Sequence, residues 1–521
     1  MKQVFIACTL LLSVISGTRA QTRVFKEVGN EISSSMRAIT QDDALVGYLV
    51  FTELERASKD SFNYKLTIMD ENLNDIGVVN FREIKLDLKT VSFEQDVLCL
   101  GYLKSNLLGY TYNHRRDKKE AIRNGYLAVY TQFIDLTGKM LKTNTIKLTT
   151  NLGATFNNSA NYISSIGLTE PLRINNVSGK GFACFFGDDR GKFLYVYDKN
   201  GDQTWQKRVG LEDARYNMLV SGHDVYFLIH HNTPGSVSGY AIQGYGLDDS
   251  TTISRVNLKD KKGNPFRVYT FDKNPATGKP FVSGAIINPR RDRGIVTLNS
   301  ISKGRYLGVF TINVDGRGRD SIKALYNYWN DKKAGLTNTT GRFVHNKSYL
   351  LAGPAFKDFA GNTYFAGSAA NRSLAVGLVI AEVATIPLII PPLYLLGGSG
   401  THKGYFGDAM VIKQTPEGVL SVDNNIAVKR SRLWPARIVT EDMDNKSYYS
   451  IHSPEKKATY LVITEAKNIT LYHVDGKKVL RTIPRKDGNI ETMIFPAKEG
   501  HMLVAEYDKK EKTRKFSIEA L

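Results

Sequence analysis

Three histidines lie within nine residues, at His223, His230 and His231 of the stretch HDVYFLIHH. Imidazoles are common metal ligands and common proton-transfer groups. The intervening VYFLI is typical of a strand, on which His223 and His231 would lie about 26 Å apart at about 3.3 Å per residue. We therefore expect histidines at the ends of a strand, and no metal site.

A second motif with chemical potential is DKNGD at Asp198 to Asp202, which is similar to the opening of a calcium-binding loop. The glutamate that completes such a loop is missing at the required spacing, because the next glutamate is Glu212. Asp, Asn and Gly in this order are also typical of a tight turn, where Asp and Asn bond to local backbone groups and Gly takes a positive φ. We therefore predict a turn, with no cofactor.

Paired acidic residues could act as the general acid and base of a glycosidase. The adjacent pairs are Asp42 and Asp43, Asp188 and Asp189, and Asp248 and Asp249, and we expect each in a surface turn. The sequence contains no Gly-x-Ser-x-Gly, Gly-Lys-Ser or His-Glu-x-x-His motif. It therefore favours a binding protein, with an enzyme acting on an anionic polysaccharide as the alternative, and no catalytic residue is assigned.

The DKNGD turn joins two predicted strands, and this strand–turn–strand pattern recurs along the chain. The strand before it, Phe193 to Tyr197, is apolar on both faces, whereas the strand after it, Gln203 to Val209, alternates. A blade of a β-propeller has this asymmetry, because neighbouring blades cover its inner strands while the outermost strand meets water. Seven such turns occur, at Asp70, Asp135, Asp198, Asp248, Asp315, Glu417 and Asp475.

The turns indicate a repeat of about 60 residues, a period typical of propellers and arrays. Another pair of strand-like segments precedes most turns, so each repeat has four strands. Three further strands follow at the C-terminus, with a turn at Asp508, and a strand from Arg23 to Val28 would complete their sheet and cover its edge. We predict an all-β fold, a β-propeller of seven or eight four-stranded blades closed by the N- and C-terminal strands.

The segments GNTYFAGS at Gly361 to Ser368 and DAMVIKQTPEGVLSV at Asp408 to Val422 resemble repeats of bacterial secreted β-propeller proteins, a family of unknown function. The resemblance implies the fold and an extracytoplasmic setting, and no activity. The C-terminal ITLYHVDGKKVL and HMLVAEYDKKEKTRKF also resemble sorting domains of a bacterial outer-membrane secretion system. In that alternative the propeller ends near residue 440 and a small β-sandwich domain follows.

Residues 1–20 have the pattern of a secretory signal peptide, with Lys2, an apolar run from Val4 to Ile15 and small residues before a cleavage site at Ala20. We therefore expect an exported protein, in the periplasm, on the cell surface or outside the cell, with one propeller over residues 21–521. We interpret Cys99 and Cys184 of the mature chain as small buried hydrophobic residues, with a disulfide as the alternative.

The chain is basic, with a net charge of +19 that removal of Lys2 and Arg19 lowers to +17. A basic surface favours anionic partners such as acidic glycans or anionic lipid. The charge is spread, with small clusters at His114 to Lys119, Arg290 to Arg293 and Lys509 to Lys515, so no nucleic acid partner is expected. We expect a monomer whose partner is a protein, a glycan or an anionic envelope surface.

One interval between turns is 102 residues, whereas the other five range from 50 to 67. The excess is an apolar insertion at about 372–403, centred on Leu374 to Gly400, which prolines interrupt. An unbroken span needs about 20 residues, so no true transmembrane span is expected. The segment could pack on the propeller's own flank, enter an outer leaflet or dock a protein. In the last two interpretations the contact residues are Leu388, Ile389, Ile390, Leu393, Tyr394 and Leu395.

Overall fold

The computed structural model of the 521-residue chain describes most of the predicted strand segments. The described residues are 21–26, 33–58, 61–107, 115–149, 168–210, 214–231, 239–248, 251–291, 304–331, 335–370, 406–428, 440–441, 447–448, 450–465 and 467–521. Their secondary structure is almost entirely β, as the sequence predicts.

After β1 (Gln21–Lys26), six four-stranded antiparallel sheets follow in chain order, each made of four consecutive strands and each forming one blade. Blade 1 contains β2 (Ser33–Gln41), β3 (Ala44–Ser58), β4 (Ser61–Asp70) and β5 (Asp75–Glu83), and blade 2 contains β6 (Leu86–Glu94), β7 (Val97–Ser105), β8 (Leu127–Asp135) and β9 (Met140–Lys147). Blade 3 contains β10 (Glu170–Val177), β11 (Gly181–Asp188), β12 (Gly191–Asp198) and β13 (Gln203–Gly210). Blade 4 contains β14 (Ala214–Ser221), β15 (Asp224–His231), β16 (Gly239–Gly246) and β17 (Thr252–Leu258). Blade 5 contains β18 (Phe266–Lys273), β19 (Pro280–Ile287), β20 (Tyr306–Val314) and β21 (Ile322–Tyr328), and blade 6 contains β22 (Tyr349–Lys357), β23 (Thr363–Ala370), β24 (Phe406–Gln414) and β25 (Leu420–Ile426).

A short strand pair, β26 (Thr440–Glu441) with β27 (Ser447–Tyr448), precedes the last two blades. Blade 7 contains β28 (Ser450–Ser453), β29 (Ala458–Thr464), β30 (Asn468–His473) and β31 (Lys478–Pro484). Blade 8 contains β33 (Ile490–Pro496), β34 (His501–Asp508), β35 (Thr513–Ala520) and, as its outermost strand, β1, with β32 (Lys486–Asp487) paired to β33. The prediction of seven or eight blades is confirmed, and the number is eight.

The eighth blade closes the ring by joining the two ends of the described chain. Strand β1 runs antiparallel to β35, from Gln21 opposite Ile518 to Lys26 opposite Thr513. This pairing confirms the composite blade predicted from the sequence, although the strand begins at Gln21 instead of Arg23. It also covers the edge of β35 that an open ring would expose.

Clusters of buried apolar side chains lie between neighbouring blades all the way around the ring. Blades 7, 8 and 1 share one cluster, which includes Val462, Phe516 and Tyr48. Each inner strand is therefore covered on both faces, as in β11, where every residue is buried. The outer strand β13 instead alternates exposed and more buried residues, as the sequence predicts.

The seven predicted turns all join the third and fourth strands of blades 1 to 7. In the DKNGD turn, Asp198 Oδ1 accepts the backbone N–H groups of Asn200 at 2.9 Å and Asp202 at 2.8 Å. Gly201 supplies a φ of 85°. The Asp198 carboxylate therefore accepts hydrogen bonds within the turn, which confirms the prediction that the DKNGD motif forms a turn.

Each blade presents two kinds of connection at opposite ends of its strands. The turns between the first and second strands of neighbouring blades contact each other. Glu94 Oε1 of blade 2 accepts the N–H of Gly179 of blade 3 at 2.8 Å, and Ser221 Oγ of blade 4 donates to the carbonyl oxygen of Gly278 of blade 5 at 2.8 Å. We call this side, which also carries the third–fourth turns, the hairpin face. The opposite side, the loop face, carries the second–third connections and the crossovers to the next blade.

The described residues contain one α-helix, α1 (Arg115–Asn124), and one short 3-10 helix, Arg319–Ser321. Helix α1 lies between β7 and β8 and therefore belongs to the loop face. No helix among the described residues has both the length and the apolar composition that crossing a bilayer requires.

Cys99 and Cys184 are free thiols with no exposed surface. They belong to one apolar cluster between blades 2 and 3. Burial raises the pKa of both thiols, and the Cys184 thiol raises that of Cys99 further. Their interpretation as small buried hydrophobic residues is confirmed.

The buried thiols predict a simple chemical result. In native protein that comprises residues 21–521, neither Cys99 nor Cys184 should react with a thiol-specific disulfide reagent over minutes at pH 8, because burial disfavours the thiolate. Unfolding in guanidinium should release both thiols to the reagent. One fast-reacting thiol in native protein would contradict their placement.

Ring closure predicts that Phe25 contributes more to stability than its neighbour Val24. The Phe25 ring packs edge-to-face on Phe516 with centroids 5.7 Å apart, whereas Val24 is 60% exposed. Phe25→Ala should lower the free energy of unfolding by about 2 kcal/mol, and Val24→Ala should change it by no more than about 0.5 kcal/mol. Urea denaturation of both variants measures the difference. Equal effects would show that β1 does not hold the ring closed.

Candidate functional site

The first strands of the blades line the central channel and pack against each other between blades. In blades 1 to 5 each of these strands carries a basic residue, and the five come from β2, β6, β10, β14 and β18: Arg37, Lys89, Arg173, Arg215 and Arg267. Since all five strands border one channel, residues up to 230 positions apart in sequence contribute to one basic lining.

Several of these side chains tie neighbouring blades together. Arg37 donates to the Leu88 carbonyl at 3.1 Å, and Arg173 donates to Asn217 Oδ1 at 3.0 Å. Both acceptors are neutral oxygens. These bonds therefore fix the positions of the two guanidinium groups. Lys89 of the same lining forms an ion pair with Asp87 at 2.5 Å.

The channel is bridged at its hairpin-face end. Asp43 in the first turn of blade 1 forms an ion pair with Lys273 at the end of β18 in blade 5, on the opposite side of an eight-membered ring. Asp42 accepts a hydrogen bond from Asn176 Nδ2 of blade 3 at 2.8 Å.

A buried acid accompanies the basic lining at the loop-face end. Glu170, the first residue of β10, is 3% exposed, and its Oε1 accepts the N–H of Tyr216 in the next blade at 3.0 Å. Burial raises the pKa of Glu170 to about 7, although Lys192, Arg173 and Arg215 favour the charged carboxylate. A buried ionisable group with a shifted pKa in a channel marks a candidate functional site.

Basic residues also gather on the outer surface of the loop face. Arg116, Lys119 and Arg123 of α1 are exposed, and their spacing of three and four residues puts them on one side of the helix. This helix contains most of the cluster from His114 to Lys119, and His114 itself lies outside the described residues.

The other two predicted clusters lie on this same face. Arg290 and Arg291 are exposed directly after β19 of blade 5, and Lys510 and Lys512 are exposed between β34 and β35 of blade 8. All three clusters therefore occupy second–third connections. Each cluster precedes the third strand of its repeat, so the sequence could have placed all three clusters on one face. We instead expected the positive charge to be spread over the surface.

The predicted contact residues Leu388, Ile389, Ile390, Leu393, Tyr394 and Leu395 lie outside the described residues. Their insertion joins the end of β23 to the start of β24 and is therefore the second–third connection of blade 6. Its role stays a prediction.

The three acidic pairs belong to blades 1, 3 and 4, and Asp249 of the third pair lies outside the described residues. Asp42 and Asp43 are exposed in a turn, as predicted. Asp188 is the last residue of β11, and its carboxylate is fully buried, pairing with Arg190 at 2.6 Å and accepting the N–H of Thr149 at 3.0 Å. The expectation of a surface acid is wrong at Asp188, because the neighbouring crossover covers it.

Strand β15 separates the histidines as predicted, with His223 before it and His230 and His231 at its end. His223 Nδ1 lies 2.9 Å from Asp248 Oδ2 on the hairpin face. In the part of the chain that the structure describes, no three His, Cys, Asp or Glu side chains are grouped as metal ligands.

A small cavity lies between blades 5 and 6, lined by Tyr269, Tyr306, Trp329, Tyr349 and neighbouring apolar residues. Its volume of about 20 Å³ has room for about one water molecule. The channel and the loop face are therefore the better candidates for binding.

Comparisons with known proteins bear on the family and the fold. Residues 1–157 match the profile of a protein family of unknown function, DUF6770, a stretch that includes β1 and blades 1 and 2. No curated protein matches the sequence.

Solved propeller structures are similar to the chain at low identity. The Dos1 propeller is 8% identical, with a TM-score of 0.42 over 95% of this chain and 94% of that chain. The WD40 domain of SCAP from fission yeast is 8% identical, with a TM-score of 0.36 over 96% and 98%. Kluyvelomyces marxianus Hsv2 is 7% identical, with a TM-score of 0.36 over 84% and 97%.

The shifted pKa of Glu170 predicts a pH-dependent stability. The unfolded chain releases this proton near pH 4.5 and the folded chain near pH 7, so the free energy of unfolding falls as pH rises through this window. Glu170→Gln keeps the acceptor for Tyr216 but cannot ionise. Between pH 5 and 8 the native protein should therefore lose about 2–3 kcal/mol more stability than the variant.

Urea denaturation at pH 5 and pH 8 measures this difference. Glu417→Gln is the matched control, since Glu417 is exposed in the turn after β24. The control should follow the native protein at both pH values. Identical pH dependence in Glu170→Gln and the native protein would refute the raised pKa.

Proposed function

We propose that the chain is an exported binding propeller that docks on an anionic envelope surface through its loop face. The observation that carries this proposal is the grouping of the three basic clusters, from blades 2, 5 and 8, on one side of the ring. A surface of this kind attracts anionic lipid or acidic glycan over about a Debye length of 8–10 Å.

The hairpin face differs in charge. Every third–fourth turn of blades 1 to 7 contains an acidic residue, because the turn chemistry uses Asp or Glu there. Repulsion would therefore turn the hairpin face away from an anionic surface and the loop face toward it. The charge pattern thus supports attraction to an anionic surface and also binding with the loop face toward that surface.

The apolar insertion supplies the second part of the proposal. It leaves blade 6 at Ala370 and returns at Phe406, both on the loop face. Leu388, Ile389, Ile390, Leu393, Tyr394 and Leu395 are its proposed contact residues. Apolar side chains beside basic ones are typical of proteins that bind at a lipid interface, where burial and charge act together.

Export is part of the proposal and rests on the sequence of residues 1–20. The first described strand begins at Gln21, directly after the expected cleavage site. If cleavage follows Ala20, the pairing of β1 with β35 would hold the new N-terminus in the ring. Removal of the leader would therefore leave the propeller intact.

Vesicle flotation tests the docking. The mature protein should float with vesicles that contain anionic lipid and stay behind with neutral vesicles, and salt should weaken the binding. The variant R116Q/K119Q/R123Q should bind at least about tenfold more weakly, since each basic residue near an anionic surface contributes about 1 kcal/mol. Deletion of Leu374 to Gly400 should abolish flotation and leave the far-UV spectrum unchanged.

The matched control removes three exposed lysines from turns of the hairpin face, as K139Q/K199Q/K279Q. It lowers the net charge by the same amount and should float as the native protein does. Equal losses in the two triple variants would mean that net charge, and not the loop face, drives binding. No flotation of the native protein would overturn the proposal.

A further inference from the structure

The loop-face end of the channel brings basic side chains of blades 4 and 5 together. Arg215 of β14 and His230 of β15 are direct partners in the antiparallel register, so their side chains lie on the same face of the sheet, about 5 Å apart at Cβ. His230 is opposite Tyr240 of β16, and the two rings stack with centroids 4.4 Å apart. Arg267 is the second residue of β18, as Arg215 is of β14.

The charged groups that shift the pKa of His230 are positive. Burial, together with Arg215, Arg267 and His231, lowers the pKa of His230 to about 4, so its imidazole is neutral at pH 7. His230 Nε2 is buried and has no hydrogen-bond partner among the described residues. Buried polar atoms are normally satisfied, so this nitrogen is a candidate ligand contact.

The acid that accompanies these cations is weakly ionised. Arg215 acts on Glu170 as well as on His230, and burial raises the pKa of Glu170 to about 7. Near neutral pH a larger fraction of this carboxyl group is therefore protonated than of an exposed glutamate, so it offsets less of the positive charge of Lys192, Arg173 and Arg215. An external anion would be stabilised in such surroundings more than it would be at an exposed salt bridge.

We propose that Arg215, Arg267 and His230 form a binding site for an oxyanion group, a carboxylate or a phosphate, at the loop-face end of the channel. The planar guanidinium groups bind such anions in bidentate fashion, which also fixes their orientation. The Tyr240 ring stacks on the His230 ring, and the ion pair between Asp43 and Lys273 lies at the opposite end of the channel.

The site does not depend on the proposed docking, because it uses residues of the channel and a small soluble ligand. Calorimetric titration of the mature protein at low ionic strength tests it, with pyrophosphate as the phosphate probe and glucuronate as the carboxylate probe. At least one probe should bind saturably at about one site per chain. The probe that binds more tightly identifies the class of oxyanion.

Arg215→Ala and Arg267→Ala should each weaken this binding at least about tenfold, which corresponds to about 1.4 kcal/mol. Arg215→Lys keeps the charge and loses the bidentate geometry, so its loss should be intermediate. The matched control is Arg82→Ala, since Arg82 is an exposed arginine on the outer strand of blade 1 and should change the dissociation constant less than twofold. Circular dichroism verifies that each variant is folded.

His230 provides a second readout that a purely structural role would not move. Its ring resonances in the NMR spectrum should titrate near pH 4 in the free protein, and bound anion should raise this midpoint by about one pH unit or more. No saturable binding of either probe at about 10 mM, or equal affinity in the Arg215, Arg267 and Arg82 variants, would overturn the site. Neither result would affect the outcome of flotation.

Discussion

Closure of the ring by β1 is the interaction on which the rest of the structure depends. Every inner strand is buried on both faces because a blade stands on each side of it, and this condition holds for blades 8 and 1 only when the ring is closed. Six residue pairs join β1 to β35, and Arg23 forms an ion pair with Asp75 of blade 1 at 2.6 Å. The chain ends are therefore held by strand pairing, packing and charge together.

The same closed geometry separates two kinds of surface. Hairpin-face turns are short, and Asp or Asn closes many of them by accepting local N–H groups, as Asp70, Asp198 and Asp358 do. Loop-face connections include longer segments, and no single turn chemistry governs them. The three basic clusters of blades 2, 5 and 8 occur there. The resulting difference in charge between the faces supports docking from one side, and it follows from the alternation of strand direction within every blade.

Within the channel, the inner strands combine charges that the sequence keeps far apart. Arg173 and Arg215 lie in neighbouring blades, and both act on Glu170. Burial raises the pKa of the Glu170 carboxyl group to about 7, and burial with the charges of Arg215 and Arg267 lowers that of His230 to about 4. Such groups respond strongly to an added charge, because water screens them poorly. These electrostatic conditions favour the binding of an anion in the channel.

Local patterns in the sequence determined the all-β class, the seven turns, the histidines at the ends of β15 and the composite eighth blade, because strand alternation and turn chemistry act over a few residues. Tertiary structure decided what lies far apart in sequence. The burial of Asp188 depends on a neighbouring crossover, and the action of both Arg215 and Arg267 on His230 depends on the packing of blade 4 against blade 5. Propensity and periodicity carry no information on which blade faces which, so only the packed ring shows that dispersed basic residues share one channel and one face.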